Sequence, residues 1–426
     1  MSRSKILMLG WEFPPVINGG LGVACHDLCA AMSKHADVTM IIPQASEGFK
    51  MKNINLIGLN TVNEKTIQDI TSKYKDRIFS NVVPVPVDLN PYHQELGFNE
   101  FSSTLRFTEG RDLKPFRIDN LYGGNVIEKV IHFSNVAAAL ALEMDFDIIH
   151  VHDWMTMLAG IKIKAQSGKP LVVHVHSLEV DRSGECSKGW VYDMEKRGME
   201  NADLIIPVSH FTGDNIIKYY GINPSKIQPV HNGLTRAEIF KSPKVYDEKT
   251  VLFIGRLTRQ KGPEFFLEIA SKVLQVDDNV RFVMAGTGDH FNRLLEDSAY
   301  KRIGNRFHLT GFLNMPQMHQ LLSIADVYCM PSVSEPFGLS AVEAAQFGVP
   351  CVISKQSGVA EVLTGSLKFD FWDSDKAADY ILNLLHNPVL KEKVVSDAFV
   401  NLETVSWERS AEKVIKAYQT HKICLN

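Results

Sequence analysis

The feature that most constrains the fold is an alternation of short apolar runs with longer amphipathic segments, which occurs twice along the chain. Each run is nearly continuous, as a strand buried on both faces of a parallel sheet requires. The first series lies at 5–10, 37–43, 146–152, 170–176 and 203–209, and the second at 250–255, 281–286, 306–311, 325–332 and 350–354. The pattern predicts an α/β chain with two doubly wound parallel sheets, each covered by helices.

A polar, non-periodic segment near residues 235–250 separates the two series. The tail predicts a further helix, because Ser406 begins a segment with Val414, Ile415 and Tyr418 on one face. The predicted divisions are an N-terminal domain of residues 1–235, a C-terminal domain of residues 236–405 and a last helix within 406–426. Residues 46–130 fit the alternation least and predict an insertion or an irregular hairpin region.

Charge and composition exclude several classes of protein. The net charge is −4 without a long basic or acidic run, so nothing favours nucleic acid as a partner. Six cysteines are too few for a disulfide framework in a chain of 426 residues. The N-terminal apolar run ends at Glu12, which is too short for a signal sequence, and no window approaches the roughly 18 apolar residues of a membrane span. We expect a cytoplasmic protein without an integral membrane segment.

Ligands of open α/β sheets bind beyond the carboxyl ends of the strands, so the residues that follow each strand are the candidates for a site. After the first strand, Gly19, Gly20 and Gly22 lead into a predicted helix. Bare backbone amides at a helix N-terminus suit an anion. A flexible turn is the alternative, although three glycines directly before a helix favour a ligand.

Two neighbouring strands end in pairs of histidines, His150 with His152 and His174 with His176. Side chains alternate along a strand, so each pair points to one side of the sheet. Four histidines raise the possibility of a metal site, but no cysteine or carboxylate stands at the usual ligand spacing. We therefore expect no metal, and His152, the outermost of its pair, is the candidate for contact with substrate.

Two cations follow the first strand of the second series. Arg256 and Lys261 precede a predicted helix start at Pro263, and together they suit a diphosphate. The alternative is a solvated basic loop, in which Arg259 is the expected solvated member. Nearby, Gly286-x-Gly288 is followed by Phe291 where a dinucleotide fingerprint requires glycine, so NAD is not supported.

The segment SEPFGLSAVE at 334–343 carries two glutamates, Glu335 and Glu343. The pattern from Ser340 to Glu343 predicts a capping box at a helix start, which would account for Glu343 structurally. Glu335 lies in the loop before that helix, where the amides of Gly338 and Leu339 would face an anion or a sugar hydroxyl. We interpret the glutamates as a clamp on one ligand, because the turn and the helix start argue against an acid–base dyad.

At these residues the chain resembles the retaining glycosyltransferases of the GT-B fold, the group with glycogen synthases, sucrose synthases and family-four glycosyltransferases. Six motifs in family order carry the resemblance. They are Gly-Gly-Leu-Gly (19–22), His-x-His-Asp-Trp (150–154), Val-Ser-x-x-Thr (208–212), His-Asn-Gly (231–233), Gly-Arg-Leu-x-x-x-Lys-Gly (255–262) and Glu-x7-Glu (335–343). The resemblance implies two Rossmann-like domains that face a cleft, and a last helix that crosses back onto the first domain.

The resemblance also implies roles for the candidate residues. Arg256 and Lys261 would neutralise the donor diphosphate, and Glu335 would hydrogen-bond hydroxyls of the donor sugar. The remaining roles would be sugar and phosphate contacts from the amides of Gly338 and Leu339, ribose binding by Glu343, a place beside the donor sugar for His152, and closure over the phosphates by Gly20 and Leu21. Transfer would retain the anomeric configuration without a metal or other cofactor, so the catalytic candidates are His152, Arg256, Lys261 and Glu335.

The start of the chain is most similar to glycogen and starch synthases, with one departure. Bacterial glycogen synthases carry lysine where this chain has Ile17. Those enzymes often lack the second glutamate, which is present here as Glu343 and makes the chain resemble family four. We expect an α-glucan synthase that transfers glucose from ADP- or UDP-glucose to a glucan or oligosaccharide acceptor. The alternatives are a family-four transferase for another polysaccharide or a lipid-linked acceptor, a nucleotide-sugar epimerase, a pyridoxal-dependent glucan phosphorylase and a glucan-binding protein. The phosphorylase is disfavoured because Lys261 lacks the setting of a Schiff-base lysine.

Overall fold

The structure is a computed structural model, and it describes residues 3–14, 19–46, 48–74, 113, 115–118, 120–123, 125–186 and 188–423. Two six-stranded sheets, both entirely parallel, organise these residues. Among the described residues no helix combines the length and apolar character that a membrane span needs. Ile17 and residues 75–112, a part of the predicted irregular region at 46–130, lie outside the described residues.

The first sheet has the strand order β3-β2-β1-β4-β5-β6. Its strands are β1 (Lys5–Leu9), β2 (Asp37–Ile42), β3 (Ile54–Gly58), β4 (Ile148–His152), β5 (Leu171–Val175) and β6 (Leu204–Pro207). Successive residues of β1 enter cores on opposite faces, Leu7 and Leu9 on one and Ile6 and Met8 on the other. Because both faces are covered, the strands need apolar residues at almost every position.

The second sheet repeats this arrangement with the order β12-β11-β10-β7-β8-β9. Its strands are β7 (Lys249–Ile254), β8 (Val280–Ala285), β9 (Phe307–Gly311), β10 (Val327–Met330), β11 (Cys351–Ser354) and β12 (Leu367–Phe369). All ten predicted apolar runs overlap strands. The sequence missed β3 and β12, which are edge strands with partly exposed residues and therefore lack a continuous apolar run.

The α-helices of the first part are α1 (Gly20–Met32), α2 (Glu64–Lys73), α3 (Val126–Ala141), α4 (Trp154–Ser167), α5 (Glu179–Ser183), α6 (Trp190–Asn201) and α7 (His210–Asn215). Those of the second part are α8 (Pro263–Val276), α9 (Phe291–Tyr300), α10 (Met315–Ile324), α11 (Leu339–Gln346), α12 (Ser374–His386), α13 (Pro388–Leu402) and α14 (Trp407–Thr420). Short 3-10 turns lie at Leu59–Thr61, Pro224–Lys226, Arg259–Lys261 and Gly358–Glu361, and a π-helical turn at Ile216–Tyr220.

Helix α14 crosses back onto the first sheet, as the resemblance implied. Ser406 caps it by accepting a hydrogen bond from the amide of Arg409, and Val414 and Tyr418 are fully buried in a core of the first part. Gly233 lies against the start of this helix, where a β-carbon would clash with the Trp407 backbone. The His-Asn-Gly motif is thus a point where the chain between the sheets meets the returning helix.

Candidate active site

The two parts of the chain face each other at the carboxyl ends of their strands. Gly20 begins α1 after β1, and a β-carbon there would lie 3.5 Å from Leu339 Cδ1 of the second part. The Gly-Gly-Leu-Gly turn therefore lies opposite the loop that carries Glu335. The structure brings Gly20, Leu21 and Leu339 together at one side of the cleft.

Lys261 and Glu335 form an ion pair at the centre of this region. The distance from Lys261 Nζ to Glu335 Oε2 is 2.5 Å, and Ser332 donates a 3.2 Å hydrogen bond to the same oxygen. Glu335 is buried, whereas Lys261 is partly exposed. Glu335 Oε1 makes no hydrogen bond with the described residues. The carboxylate thus keeps one oxygen for a ligand while the other holds the lysine.

The loop after β7 passes beside this pair, because a β-carbon at Gly255 would lie 3.7 Å from the Lys261 side chain, and Arg256 follows Gly255. Arg256 is exposed, and it has no ion-pair partner among the residues that the structure describes. Its position is set by two close backbone crossings, because β-carbons at Gly286 and Gly288 would clash with the carbonyl oxygens of Gly255 and Leu257. The Gly-x-Gly pattern therefore serves loop packing. Arg259 is exposed as predicted, but its guanidinium also lies against Gly184 of the first part.

Helix α11 begins differently from the prediction, and the capping box is wrong. The N-cap is Gly338 with φ of 107°, a left-handed conformation that favours glycine, and no side chain caps the helix. The Ser340 hydroxyl instead bonds to the Tyr328 hydroxyl at 2.8 Å. Glu343 lies one turn inside the helix, where burial raises the pKa of its carboxyl to about 7. The helix ends at Gln346, and Gly348 then turns the chain with φ of 72°.

The four histidines form one buried cluster on the face of the first sheet that α1 and α14 cover. His152 Nδ1 lies 2.9 Å from His176 Nε2, and His150 Nε2 lies 3.2 Å from His174 Nδ1. The Tyr418 hydroxyl of α14 bonds to His150 Nδ1. Burial lowers the pKa of His150 and of His176 to about 3, and that of His152 and His174 well below 6.5. The cluster is therefore neutral near pH 7.

Two groups offer ligand atoms within 4.8 Å of one another, Cys25 with His152 and His176, and His150 with His152 and His174. The lone pair of an imidazole nitrogen lies in the ring plane, and in the second group the ring of His152 stacks on His150 at 28° and on His174 at 21°. Lone pairs of stacked rings run side by side and do not converge. Burial also raises the pKa of the Cys25 thiol well above its ordinary value, which disfavours the thiolate.

The loop with Glu335 is held by groups of the first part of the chain that the sequence left without a role. Ser209 donates a 2.6 Å hydrogen bond to the Pro336 carbonyl, and Thr212 donates a second of 3.2 Å. The Ser334 hydroxyl donates to Asp181 Oδ1 at 2.5 Å. The Val-Ser-x-x-Thr motif was the available signal, because Ser209 and Thr212 belong to it.

A second tie joins the His-Asn-Gly turn to the second part. His231 Nε2 lies 2.6 Å from Glu361 Oε2, and the same carboxylate accepts the amides of His210 at 3.0 Å and Phe211 at 2.7 Å. Burial alone would raise the pKa of Glu361, but these hydrogen bonds lower it overall. An ionised carboxylate therefore joins the two parts.

One polar pair near the cleft was missed entirely. Glu12 follows β1 and is buried, and Tyr122, which is partly exposed, donates a hydrogen bond to it. Burial and the negative charge of Glu12 raise the pKa of Tyr122, while the positive charge of Arg256 acts in the opposite direction. The opposed influences show that Tyr122 lies close to both charges.

The sequence contains two Asp-x-Asp pairs, Asp145 with Asp147 and Asp373 with Asp375, and both have structural contacts. Asp145 pairs with Lys5, and Asp147 accepts the Lys5 amide at 2.8 Å, at the amino end of β4. Asp373 caps α12, and Asp375 pairs with Lys272 at 2.6 Å. The first pair thus stands before a strand, and the second stands at the start of the helix that follows the edge strand β12.

Solved structures with the same fold cover nearly the whole chain. Sucrose-phosphate synthase from Thermosynechococcus elongatus has a TM-score of 0.72 at 17% identity, over 98% of this chain and 99% of that one. The catalytic domain of starch synthase IV from Arabidopsis thaliana, bound to ADP and acarbose, has a TM-score of 0.66 at 16% identity, over 99% of each chain. At these identities the likeness establishes the fold.

Two families match adjoining parts of the sequence. The family described as Glycosyltransferase Family 4 matches residues 99–237, and the one described as Glycosyl transferases group 1 matches residues 235–399. The chain carries glycosyltransferase domains of both families on the GT-B fold. The matches meet near residue 236, and the resemblance carried by the six motifs is confirmed.

Curated relatives of this glycosyltransferase differ in their acceptors. An uncharacterized glycosyltransferase of Methanocaldococcus jannaschii is 27% identical over 97% of this chain and 98% of that protein. The glycogen synthase of Mycobacterium tuberculosis is 23% identical over 98% of this chain and 95% of that protein. The D-inositol 3-phosphate glycosyltransferase of Thermobifida fusca is 26% identical over 69% of this chain and 74% of that protein.

Proposed function

We propose that this glycosyltransferase is a retaining hexosyltransferase that extends an α-glucan from ADP- or UDP-glucose. The observation that carries the proposal is the ion pair of Lys261 with Glu335, beside Arg256 and opposite Gly20. A nucleotide-sugar donor carries a diphosphate and a sugar. The cations Lys261 and Arg256 suit the diphosphate, and the oxygen of Glu335 without a hydrogen bond from the described residues suits a sugar hydroxyl. The full-length likeness to a glycogen synthase supports glucan as the acceptor.

In the proposed reaction the bond between the sugar C1 and the phosphate oxygen breaks, and its electron pair stays on the phosphate. Arg256 and Lys261 stabilise the negative charge that develops there. Glu335 Oε1 accepts a hydrogen bond from a hydroxyl of the donor sugar, and Glu343 accepts hydrogen bonds from the ribose hydroxyls. The amides of Gly338 and Leu339 approach the sugar and phosphate.

The acceptor hydroxyl attacks C1 from the face that the phosphate leaves, so the configuration is retained. Its proton passes to the departing phosphate oxygen, and no protein base is required. The fixed cations supply the charge stabilisation, so we propose that no metal or other cofactor takes part. A cytoplasmic location accompanies this proposal because nucleotide-sugars are cytoplasmic metabolites.

A second candidate is a family-four transferase with another acceptor. The likeness to D-inositol 3-phosphate glycosyltransferases and the presence of Glu343 favour it. The donor site would be the same in both cases. Only the acceptor and its loops would differ.

A donor and acceptor screen tests both candidates. The protein is mixed with ADP-glucose or UDP-glucose and with glycogen, a maltooligosaccharide or an inositol phosphate, in EDTA, and nucleotide release is followed. We expect release with one donor that depends on a glucan. Release that depends on inositol phosphate would select the second candidate, and no release with either donor would overturn the proposal for glucose. NMR of the anomeric proton in the product tests retention.

A further inference from the structure

The imidazole of His152 is held at one nitrogen and unpartnered at the other. His152 Nδ1 faces His176 Nε2 at 2.9 Å, whereas His152 Nε2 is buried and has no hydrogen bond with the described residues. His176 Nδ1 is likewise buried and unpartnered within that part of the chain. A buried polar atom without a partner is costly, so His152 Nε2 is the atom that a bound ligand would satisfy.

Two proton arrangements are possible for this neutral pair, because only one of the two facing nitrogens can carry hydrogen. If His152 Nδ1 is the donor, a ligand that donates to the bare His152 Nε2 leaves His176 with a buried N–H that none of the described residues accepts. If His176 Nε2 is the donor, a ligand that accepts the His152 Nε2–H leaves only a buried lone pair on His176. Orphaned buried N–H groups are rarer in protein backbones than under-satisfied acceptors, and the same preference in the ligand-bound state favours the second arrangement.

We infer that His176 is a positioning residue that donates Nε2–H to His152 Nδ1 and thereby presents His152 Nε2–H to the donor sugar. The inference rests on the proposed function, since it takes His152 to contact that sugar. It assigns a role to a histidine that had none. A sugar hydroxyl oxygen would accept the N–H, and His152 would act as a hydrogen-bond donor with no part in removing a proton.

The backbone around His176 is fixed by the residue that follows His152. Asp153 has φ of 58° and ψ of 174°, a conformation that is rare for any residue but glycine. Its Oδ1 accepts the amides of His176 at 2.6 Å and Ser177 at 3.3 Å, and its own amide donates to the His174 carbonyl at 3.0 Å. These bonds tie the carboxyl end of β4 to that of β5. They hold the two imidazoles at hydrogen-bonding distance.

Nitrogen NMR of the labelled full-length protein, saturated with ADP-glucose or UDP-glucose, tests the tautomer without any need for transfer. We expect His152 to carry its proton on Nε2 and to have a bare Nδ1. A proton on His152 Nδ1 would overturn the inference whatever the enzyme transfers. The two arrangements are distinguishable because protonated and bare ring nitrogens resonate far apart.

Kinetics of three variants test the positioning role. His176→Gln keeps an N–H that can reach His152, so its kcat should stay within about threefold of the wild type, whereas His176→Leu should lose about 10- to 100-fold in kcat with little change in donor KM. His150→Leu is the matched control, because His150 is equally buried in the cluster but bonds to Tyr418 and His174. Equal losses in His150→Leu and His176→Leu, or a normal kcat in His176→Leu, would overturn the inference. Inactivity of the wild type with every donor would instead overturn the proposed function.

Discussion

Replacing Glu343 by glutamine should stabilise the fold at pH 8 and at the same time weaken donor binding. Burial raises the pKa of Glu343 from 4.5 to about 7. Between about pH 4.5 and 7, this carboxyl is therefore protonated in the native state and ionised in the unfolded state. Stability falls as pH rises through that window, and by pH 8 the ionised carboxylate costs the fold about 3 kcal/mol. Glutamine has no such ionisation, so the variant should recover up to that amount.

Donor binding should respond in the opposite sense. The ionised fraction of Glu343 rises from about 0.1 at pH 6 to about 0.9 at pH 8 for a pKa near 7. Charge-assisted hydrogen bonds to ribose hydroxyls are stronger than neutral ones. The wild-type KM for the donor should therefore fall by up to about tenfold across this range, while that of Glu343→Gln stays flat near the wild-type value at pH 6. The diphosphate of the donor is esterified at both ends and does not titrate here.

Urea unfolding at pH 6 and 8, and donor KM between pH 6 and 8, measure both effects. Asp153 and Glu195 also have pKa values raised by burial to about 7. A pH dependence of the unfolding free energy that persists in Glu343→Gln therefore belongs to them. Glu412→Gln, an exposed change on α14, controls for the loss of one negative charge. A variant that is less stable than the wild type at pH 8 and binds donor normally would refute the reasoning, since Glu343 would then be a structural residue.

Three further changes have expected outcomes. Lys261→Ala should lower kcat at least about 100-fold with an unchanged circular dichroism spectrum, whereas the exposed Lys413→Ala should not; a rate near normal would remove Lys261 from the site. Gly262→Ala should cost about 2 kcal/mol in urea unfolding, because Gly262 has φ of 62° and a β-carbon would clash with a backbone carbonyl, whereas Gly304→Ala meets open space and should be neutral. Burial lowers the pKa of His150 from 6.5 in the unfolded chain to about 3 in the native state. The stability that neutral His150 gives the fold is therefore complete above pH 6.5 and is lost as the pH falls below it. Between pH 7.5 and 5 the wild type should therefore lose about 2 kcal/mol more than His150→Gln, and equal losses would contradict the assignment.

The sequence located the strands well because burial on both faces leaves a continuous apolar run. The edge strands β3 and β12 lack that signature because they are partly exposed, and β12 has only three residues. The returning helix was predictable for a different reason. Ser406 caps it locally, and its apolar face repeats with the helical period.

The sequence offered the candidate site residues one by one, and it did not indicate which of them form pairs. Lys261 and Glu335 lie 74 positions apart, and Ser209 lies 127 positions from Pro336, so no local pattern indicates that they bond. The capping prediction failed for the same reason. The Ser340 hydroxyl finds a partner on β10, and Gly338 can begin the helix without a side-chain cap because it adopts a left-handed conformation.

The arrangement of the carboxylates bears on the route of the proton. Glu335 has one oxygen occupied by Lys261 and Ser332, so its remaining oxygen serves as an acceptor beside a fixed cation. Such a group is suited to bind a hydroxyl through its remaining oxygen, because the other oxygen already holds the lysine and the serine. His152 is held neutral by burial, and through His176 it would offer an N–H. With these candidates engaged, the proposed reaction passes the proton to the departing phosphate oxygen, the base that develops beside the acceptor hydroxyl.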